Sequence, residues 1–362
     1  MLFTLLRHRR RPAPPHTIHV RRLRSEATLE AIAKAAEEKT AVVALYNYPS
    51  FSGAFSALFA HLYHSTLQIP CLLLPFSSVV PFRVDDLCFE GLKKCYFLDF
   101  IGPDGFAREL SRRTACEVIC FDHRKTTLSK VPSFEDFAEE ITFHVDVRKS
   151  SSRAVYEYFS SKVNSSTSRE DNVVADSLLK SDDQLRIEML LNYLEDGDLR
   201  QWRLPEIRAF NVGISEWRSK MNCITNPHLL RMSTEELIAK GLASMSIRKD
   251  AAQEFLGKAF RLQLGRGFYG ECLGVRADSR PNLSDEIGKE LSLKSAAAGL
   301  RPIGAVVFMQ RNKLKMCLRS TDGATDTSVI AKAYGGGGSP SSSSFIIRMD
   351  EYNQWFPLKS SE

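Results

Sequence analysis

The chain has 362 residues, 43% hydrophobic and 25% charged, the balance of a soluble globular protein long enough for two cores. Its formal net charge of +6 does not describe the whole surface, because residues 1–24 hold seven arginines and no acid, leaving 42 basic against 43 acidic side chains elsewhere. Charge therefore excludes a uniformly basic nucleic-acid-binding body, and no apolar run is long enough to span a bilayer.

Residues 1–24 open with Leu2, Phe3, Leu5 and Leu6, and then carry Arg7, Arg9, Arg10, Arg11, Arg21, Arg22 and Arg24. An arginine-rich, acid-free start has the composition of a transit peptide and predicts a mitochondrial or chloroplast address. A disordered basic tail on a cytoplasmic protein is the alternative. Residues 25–215 read as one domain. Thr28 to Lys39 predicts a helix, Ala41 to Tyr46 a buried strand, and Ala54 to His64 a helix packed on a sheet. Further strands are expected at Pro70–Pro75, Cys95–Ile101, Glu117–Phe121 and, more weakly, Ile141–Val145, with a helix at Asp104–Arg113. Strands alternating with helices imply an α/β fold with a parallel sheet and crossover helices. Ligands in such sheets bind at the loops leaving the carboxyl ends of the strands.

Ser150-Ser151-Ser152 precedes a helix over Arg153–Val163, and a helix over Leu185–Leu194 leads into Glu195-Asp196-Gly197-Asp198. Residues 216–259 read as a helical connector and 260–353 as a smaller mixed α/β domain. That domain is expected to hold strands at Phe268–Val275, Ile303–Gln310 and Lys313–Arg319 and a helix at Leu283–Lys294. Residues 354–362 read as a loose tail. Gly265-Arg266-Gly267-Phe268-Tyr269-Gly270 matches a dinucleotide fingerprint in letters only, without the strand before and helix after that the mechanism needs. The eight cysteines include no C-x-x-C pair, which suits buried thiols in a reducing compartment.

Four segments carry the chemistry: Tyr46-Asn47-Tyr48-Pro49-Ser50-Phe51-Ser52-Gly53, Tyr96-Phe97-Leu98-Asp99-Phe100, Phe121-Asp122-His123-Arg124-Lys125, and Gly335-Gly336-Gly337-Gly338-Ser339-Pro340. The first three fall at predicted strand ends. Together with Tyr193 to Leu199 they resemble the DHH (Asp-His-His) phosphoesterase superfamily and its associated C-terminal domain over roughly residues 40–350. The resemblance implies two Mn²⁺ or Mg²⁺ ions hydrolysing phosphodiesters or phosphoanhydrides. It assigns Asp99 as the bridging carboxylate, Asp122 and His123 as catalytic residues, and Asp99, His123 and Asp196 as metal ligands, with Asp198 second to Asp196. In the C-terminal domain it aligns Asp285-Glu286-Ile287-Gly288 with an acidic-Gly helix, and implies substrate contacts from Arg319 and from the backbone of Gly336, Gly337 and Gly338.

Four working positions depart from that pattern. Asn47 stands for a histidine, Ser52 for an aspartate, Arg124 for the second histidine of the motif and Ser339 for a substrate-contacting histidine. A guanidinium cannot ligate a cation and repels one. The expectation is therefore at most one weakly held Mn²⁺ or Mg²⁺, with hydrolysis lost or weakened. Binding of a nucleotide or short single-stranded nucleic acid in the cleft between domains is expected to survive. Alternatives are an active phosphodiesterase or exonuclease with a reduced metal site, and a non-catalytic organellar scaffold.

Overall fold

Five apolar runs build the sheet of the first unit: Val42–Asn47 (β1), Cys71–Phe76 (β2), Lys94–Leu98 (β3), Glu117–Asp122 (β4) and Ile141–Val145 (β5). All pair in parallel, in the order β2-β1-β3-β4-β5. This is a computed structural model describing residues 26–78, 81–131, 140–167, 177–218 and 227–356. The arginine-rich start lies outside these residues. Among them, no helix is long and apolar enough to cross a membrane.

The strands are continuously apolar because helices cover both faces. Val43 and Leu45 of β1 point to one face, where they pack with Ile32 of α1 (Glu26–Glu37), Leu87 of the short α3 (Val84–Leu87) and Phe106 and Leu110 of α4 (Phe106–Thr114). The other face carries α2 (Phe51–Thr66) and α6 (Ser151–Thr167), and Tyr96 of β3 meets Phe159 of α6 edge-on. The unit is completed by α5 (Lys125–Leu128) and α7 (Ser181–Asp198). Because β2 and β3 flank β1, strand order reverses there, and such a reversal opens a crevice at the carboxyl ends of the strands. Asn47 ends β1, Asp99 follows β3 and Asp122 ends β4.

The second unit holds α8 (Ile207–Ser215) from Arg208 onward, α9 (Thr234–Leu256) from Glu235 onward, and the rest of the chain. Its strands are Phe260–Gln263 (β6), Glu271–Arg276 (β7), Gly304–Gln310 (β8), Lys313–Arg319 (β9), Gly337–Ser339 (β10) and Ser342–Ile347 (β11). They form one mixed sheet, β10-β11-β9-β8-β7-β6, with only β7 and β8 parallel. The crossover between those two is α10 (Ser284–Ala297), and α11 (Ser328–Ala333) and α12 (Met349–Asn353) follow later.

Two boundaries and the setting of one motif differ from the sequence reading. The expected connector over 216–259 is split: 216–234 groups with the first unit, whereas 235–259 and residues 208–215 group with the second. The reason is glycine. A Cβ on Gly213 would stand 2.0 Å from the Leu237 carbonyl oxygen and one on Gly241 1.8 Å from that of Ala209, so α8 and α9 touch backbone to backbone. The expected loose tail begins too early: Trp355 is fully buried against Tyr334 and Phe345, and its carbonyl accepts from Gln263 N. Residues 357–362 lie outside the described residues. The Gly265–Gly270 fingerprint does follow a strand, β6, but it turns into the antiparallel β7 instead of a helix.

One glycine sets the entrance to the crevice. A Cβ on Gly53 would lie 2.2 Å from the Asn47 carbonyl oxygen, which is how closely α2 leaves β1. Glycine-to-alanine inside a helix ordinarily stabilises by about 1 kcal/mol. Gly53→Ala is expected to do the reverse, lowering stability by about 1–3 kcal/mol through overpacking in urea unfolding; a stabilised variant would disprove this contact.

Candidate functional site

Asp99 is fully buried, and its backbone takes φ +68°, a left-handed conformation uncommon for a side-chain-bearing residue. That turn ends β3 and presents both carbonyl and carboxylate to the residues after β4. Oδ2 accepts from Asn47 Nδ2 at 2.9 Å, Ser50 Oγ at 2.5 Å and Arg124 Nη2 at 3.2 Å. Ser50 caps the start of α2, its hydroxyl also accepting from Gly53 N at 3.2 Å. Oδ1 lies 3.3 Å from His123 Nδ1.

Asp122 closes the other side. Its Oδ1 accepts from the backbone N–H groups of His123 and Arg124 and from Arg124 Nη1 at 2.9 Å, while Oδ2 accepts from Thr127 Oγ1 at 2.6 Å. Arg124 Nη1 also donates to the Asp99 carbonyl at 2.8 Å. One guanidinium thus ties together the acids at two strand ends. His123 Nδ1 meets Ser151 Oγ at 2.9 Å as well as Asp99. Serine and aspartate share one ring nitrogen, so this is not a nucleophile–base relay, which needs the two nitrogens separately.

The acidic helix end requires a correction. Asp196, favoured from the sequence as a metal ligand, accepts from the backbone N–H groups of Arg203 and Leu204 at 3.0–3.3 Å and so pins the turn after α7. Asp198 faces the crevice instead. It accepts from Ser52 Oγ at 2.5 Å, and Ser52 continues through Ser152 to Ser150 by hydroxyl contacts of 3.1 and 3.2 Å. The sequence reading passed over Ser50, Thr127, Ser151 and Ser152; hydroxyls beside helix starts are ordinary capping residues, and only the run of three serines next to a strand end stood out.

Electrostatics follow from burial and charge. For Asp99, burial alone would push the carboxyl up, but hydrogen bonds from His123 and Ser50 and the charge of Arg124 hold it below its ordinary range. For His123, burial works against the charged ring, yet the hydrogen bond to Asp99 and the charges of Asp99 and Asp198 raise its pKa. Asp198 is pushed up to about 6, by burial first and the Asp99 charge second, against the Ser52 hydrogen bond and the nearby cations.

Asp99, Asp122 and His123 each offer a ligand atom within 4.8 Å of the others, a set that could hold one metal ion. The residues do not fit a pair. Asn47 and Ser52 are neutral, and Arg124 already occupies the space between the two acids.

In the second unit, Arg319 Nε donates to Asp285 Oδ1 at 2.8 Å and Nη1 donates to the Leu318 carbonyl at 2.9 Å. A Cβ on Gly288 would stand 2.6 Å from Arg319 Cγ, so that glycine makes room for the arginine over α10. The run of glycines is a folded hairpin: Gly337, Gly338 and Ser339 pair with Ser344, Ser343 and Ser342. A Cβ on Gly336 would stand 2.2 Å from the Ser344 carbonyl oxygen. Ser339 is exposed at the tip.

No known family profile matches the sequence, and no curated protein does. Solved structures show a distant likeness. A pGpG-specific phosphodiesterase, PggH, of Vibrio cholerae matches at 10% identity and a TM-score of 0.44, over 86% of this chain and 95% of that one. An exopolyphosphatase-related protein of Bacteroides fragilis matches at 11% identity and 0.41, over 91% and 94%. RecJ of Thermus thermophilus, in complex with Mg²⁺, matches at 11% and 0.35, over 91% of this chain and 50% of its own. All three TM-scores lie below 0.5 and all three identities below 25%. What the site does has to be read from its own residues.

A carboxyl raised from 3.8 to about 6 binds its proton more tightly folded than unfolded. Asp198 therefore weakens folding progressively as pH rises from about 4 to about 6, and the penalty persists at neutral pH. Asp198→Asn keeps an acceptor for Ser52 and is expected to raise stability at pH 7.5 by on the order of 2 kcal/mol, a gain that fades by pH 4. Urea unfolding at the two pH values checks this; a less stable variant at pH 7.5 would show that the charge is instead held by a partner.

Proposed function

We propose that this chain is a DHH-type phosphoesterase-like protein that has lost or greatly weakened metal-dependent hydrolysis of phosphodiesters and phosphoanhydrides. It retains binding of a nucleotide or a short single-stranded nucleic acid. The observation that carries this reading is the Arg124 guanidinium, 2.9 Å from Asp122 Oδ1 and 3.2 Å from Asp99 Oδ2. A pair of Mn²⁺ or Mg²⁺ ions lowers the pKa of a water and stabilises the attacking and leaving oxygens together. A fixed positive charge about 4 Å from a divalent ion costs on the order of 8 kcal/mol at an effective dielectric near 20, enough to empty an ordinary site. Losing one ion of a pair would remove several powers of ten in rate, at about 1.4 kcal/mol per tenfold.

A second reading, a one-ion phosphodiesterase, draws on the cluster of Asp99, Asp122 and His123. In that case Arg124 must swing aside to free both carboxylates.

Calorimetric titration of the full chain with Mn²⁺ is expected to show at most one weak site, and hydrolysis of short oligoribonucleotides and of pyrophosphate is expected at background. Asn47→His, Ser52→Asp and Arg124→His together should create a second site and measurable turnover. Two tight Mn²⁺ sites in the parent protein would overturn the proposal; one site with turnover would establish the second reading.

A further inference from the structure

A guanidinium carries five N–H donors in one plane. In Arg124, Nη1 spends both of its own on the Asp99 carbonyl and Asp122 Oδ1, and Nη2 spends one on Asp99 Oδ2. The second Nη2–H and the Nε–H remain, side by side on one edge of the plane. Nε has no hydrogen-bond partner among the described residues and is not among their buried unpaired atoms, and the side chain is 38% exposed. Among the described residues, nothing pairs with the remaining edge.

Two parallel N–H donors on a planar cation match two oxygens of a phosphate. The opposite edge is clamped by the two aspartates, so the fork is already oriented and little further side-chain freedom is lost when a ligand docks. Of the acids nearby, Asp99 and Asp122 are partly screened from such a ligand, and Asp198 adds its charge to theirs. Asp122 is closed off by two backbone N–H groups and Thr127, and Asp99 by Asn47 and Ser50.

We propose that the free edge of Arg124 binds a phosphate monoester group directly, without a divalent ion. The ligand class is a nucleoside monophosphate or the phosphorylated end of a short strand. This rests on the reading above that the guanidinium stands where the ions would be, and it goes further by giving that cation a ligand of its own.

The test uses the full chain in excess EDTA, titrated with AMP, with adenosine and with inorganic phosphate, followed by calorimetry and ³¹P line broadening. AMP is expected to bind equally, within about twofold, in EDTA and in Mn²⁺. Adenosine should bind at least tenfold more weakly, and inorganic phosphate should compete with AMP where the same concentration of acetate does not. Arg124→Lys, which keeps the charge and loses the fork, should weaken AMP at least tenfold. If that variant fails to fold, the EDTA, adenosine and acetate comparisons on the parent protein decide. AMP binding unchanged in a folded Arg124→Lys protein, acetate competing as well as phosphate, or no AMP binding in EDTA together with at most one weak Mn²⁺ site would overturn this inference and leave the preceding reading intact. AMP binding that requires Mn²⁺, alongside two tight Mn²⁺ sites, would overturn both.

Discussion

The first unit depends on a triangle of charge. Two carboxylates at neighbouring strand ends, Asp99 fully buried and Asp122 4% exposed, cannot lie side by side in a low-dielectric crevice without a cation between them. Arg124 is that cation, and it comes from the same loop as Asp122. The left-handed backbone of Asp99 turns both its carbonyl and its carboxylate to the one guanidinium. Asn47 and Ser50 donate to the same Asp99 oxygen as the arginine and Thr127 to the second oxygen of Asp122, while Asp99 Oδ1 has no hydrogen-bond partner among the described residues and lies 3.3 Å from His123 Nδ1.

Much of this could be read from the residues because two simple rules apply. Continuously apolar runs separated by helix-length segments imply a parallel sheet, and ligands gather where its strands end. Asp99, Asp122, His123 and Arg124 stand at such ends, and the structure puts all four together with Asn47. The choice between Asp196 and Asp198 was not legible in the same way. Two positions along a helix differ by about 200° in direction, and which of them looks into the crevice is decided by how α7 packs. Asp196 looks toward the turn that follows it and Asp198 toward Ser52. The split of the connector was hidden for a similar reason. Gly213 and Gly241 each look like a weak point in a helix, and only their mutual approach to opposing backbones shows them to be contact points.

The second unit shows the same economy. Arg319, at the end of β9, is held by Asp285 from α10, and the same helix leaves a glycine beneath it. The glycine run 337–338 is part of a strand, and its approach to Ser342–Ser344 leaves no room for a side chain at Gly336. The apolar Phe345-Ile346-Ile347 follows immediately, and Phe345 and Ile347 lie in the core.

The six-stranded sheet finishes at both sides with truncated pieces, three residues in β10 and four in β6, against seven in β8 and β9. An outer strand that short offers few free amide and carbonyl groups to another chain, and Pro340 beside β10 has no amide to give. The margins of this sheet are thereby blunted against fibril-like growth.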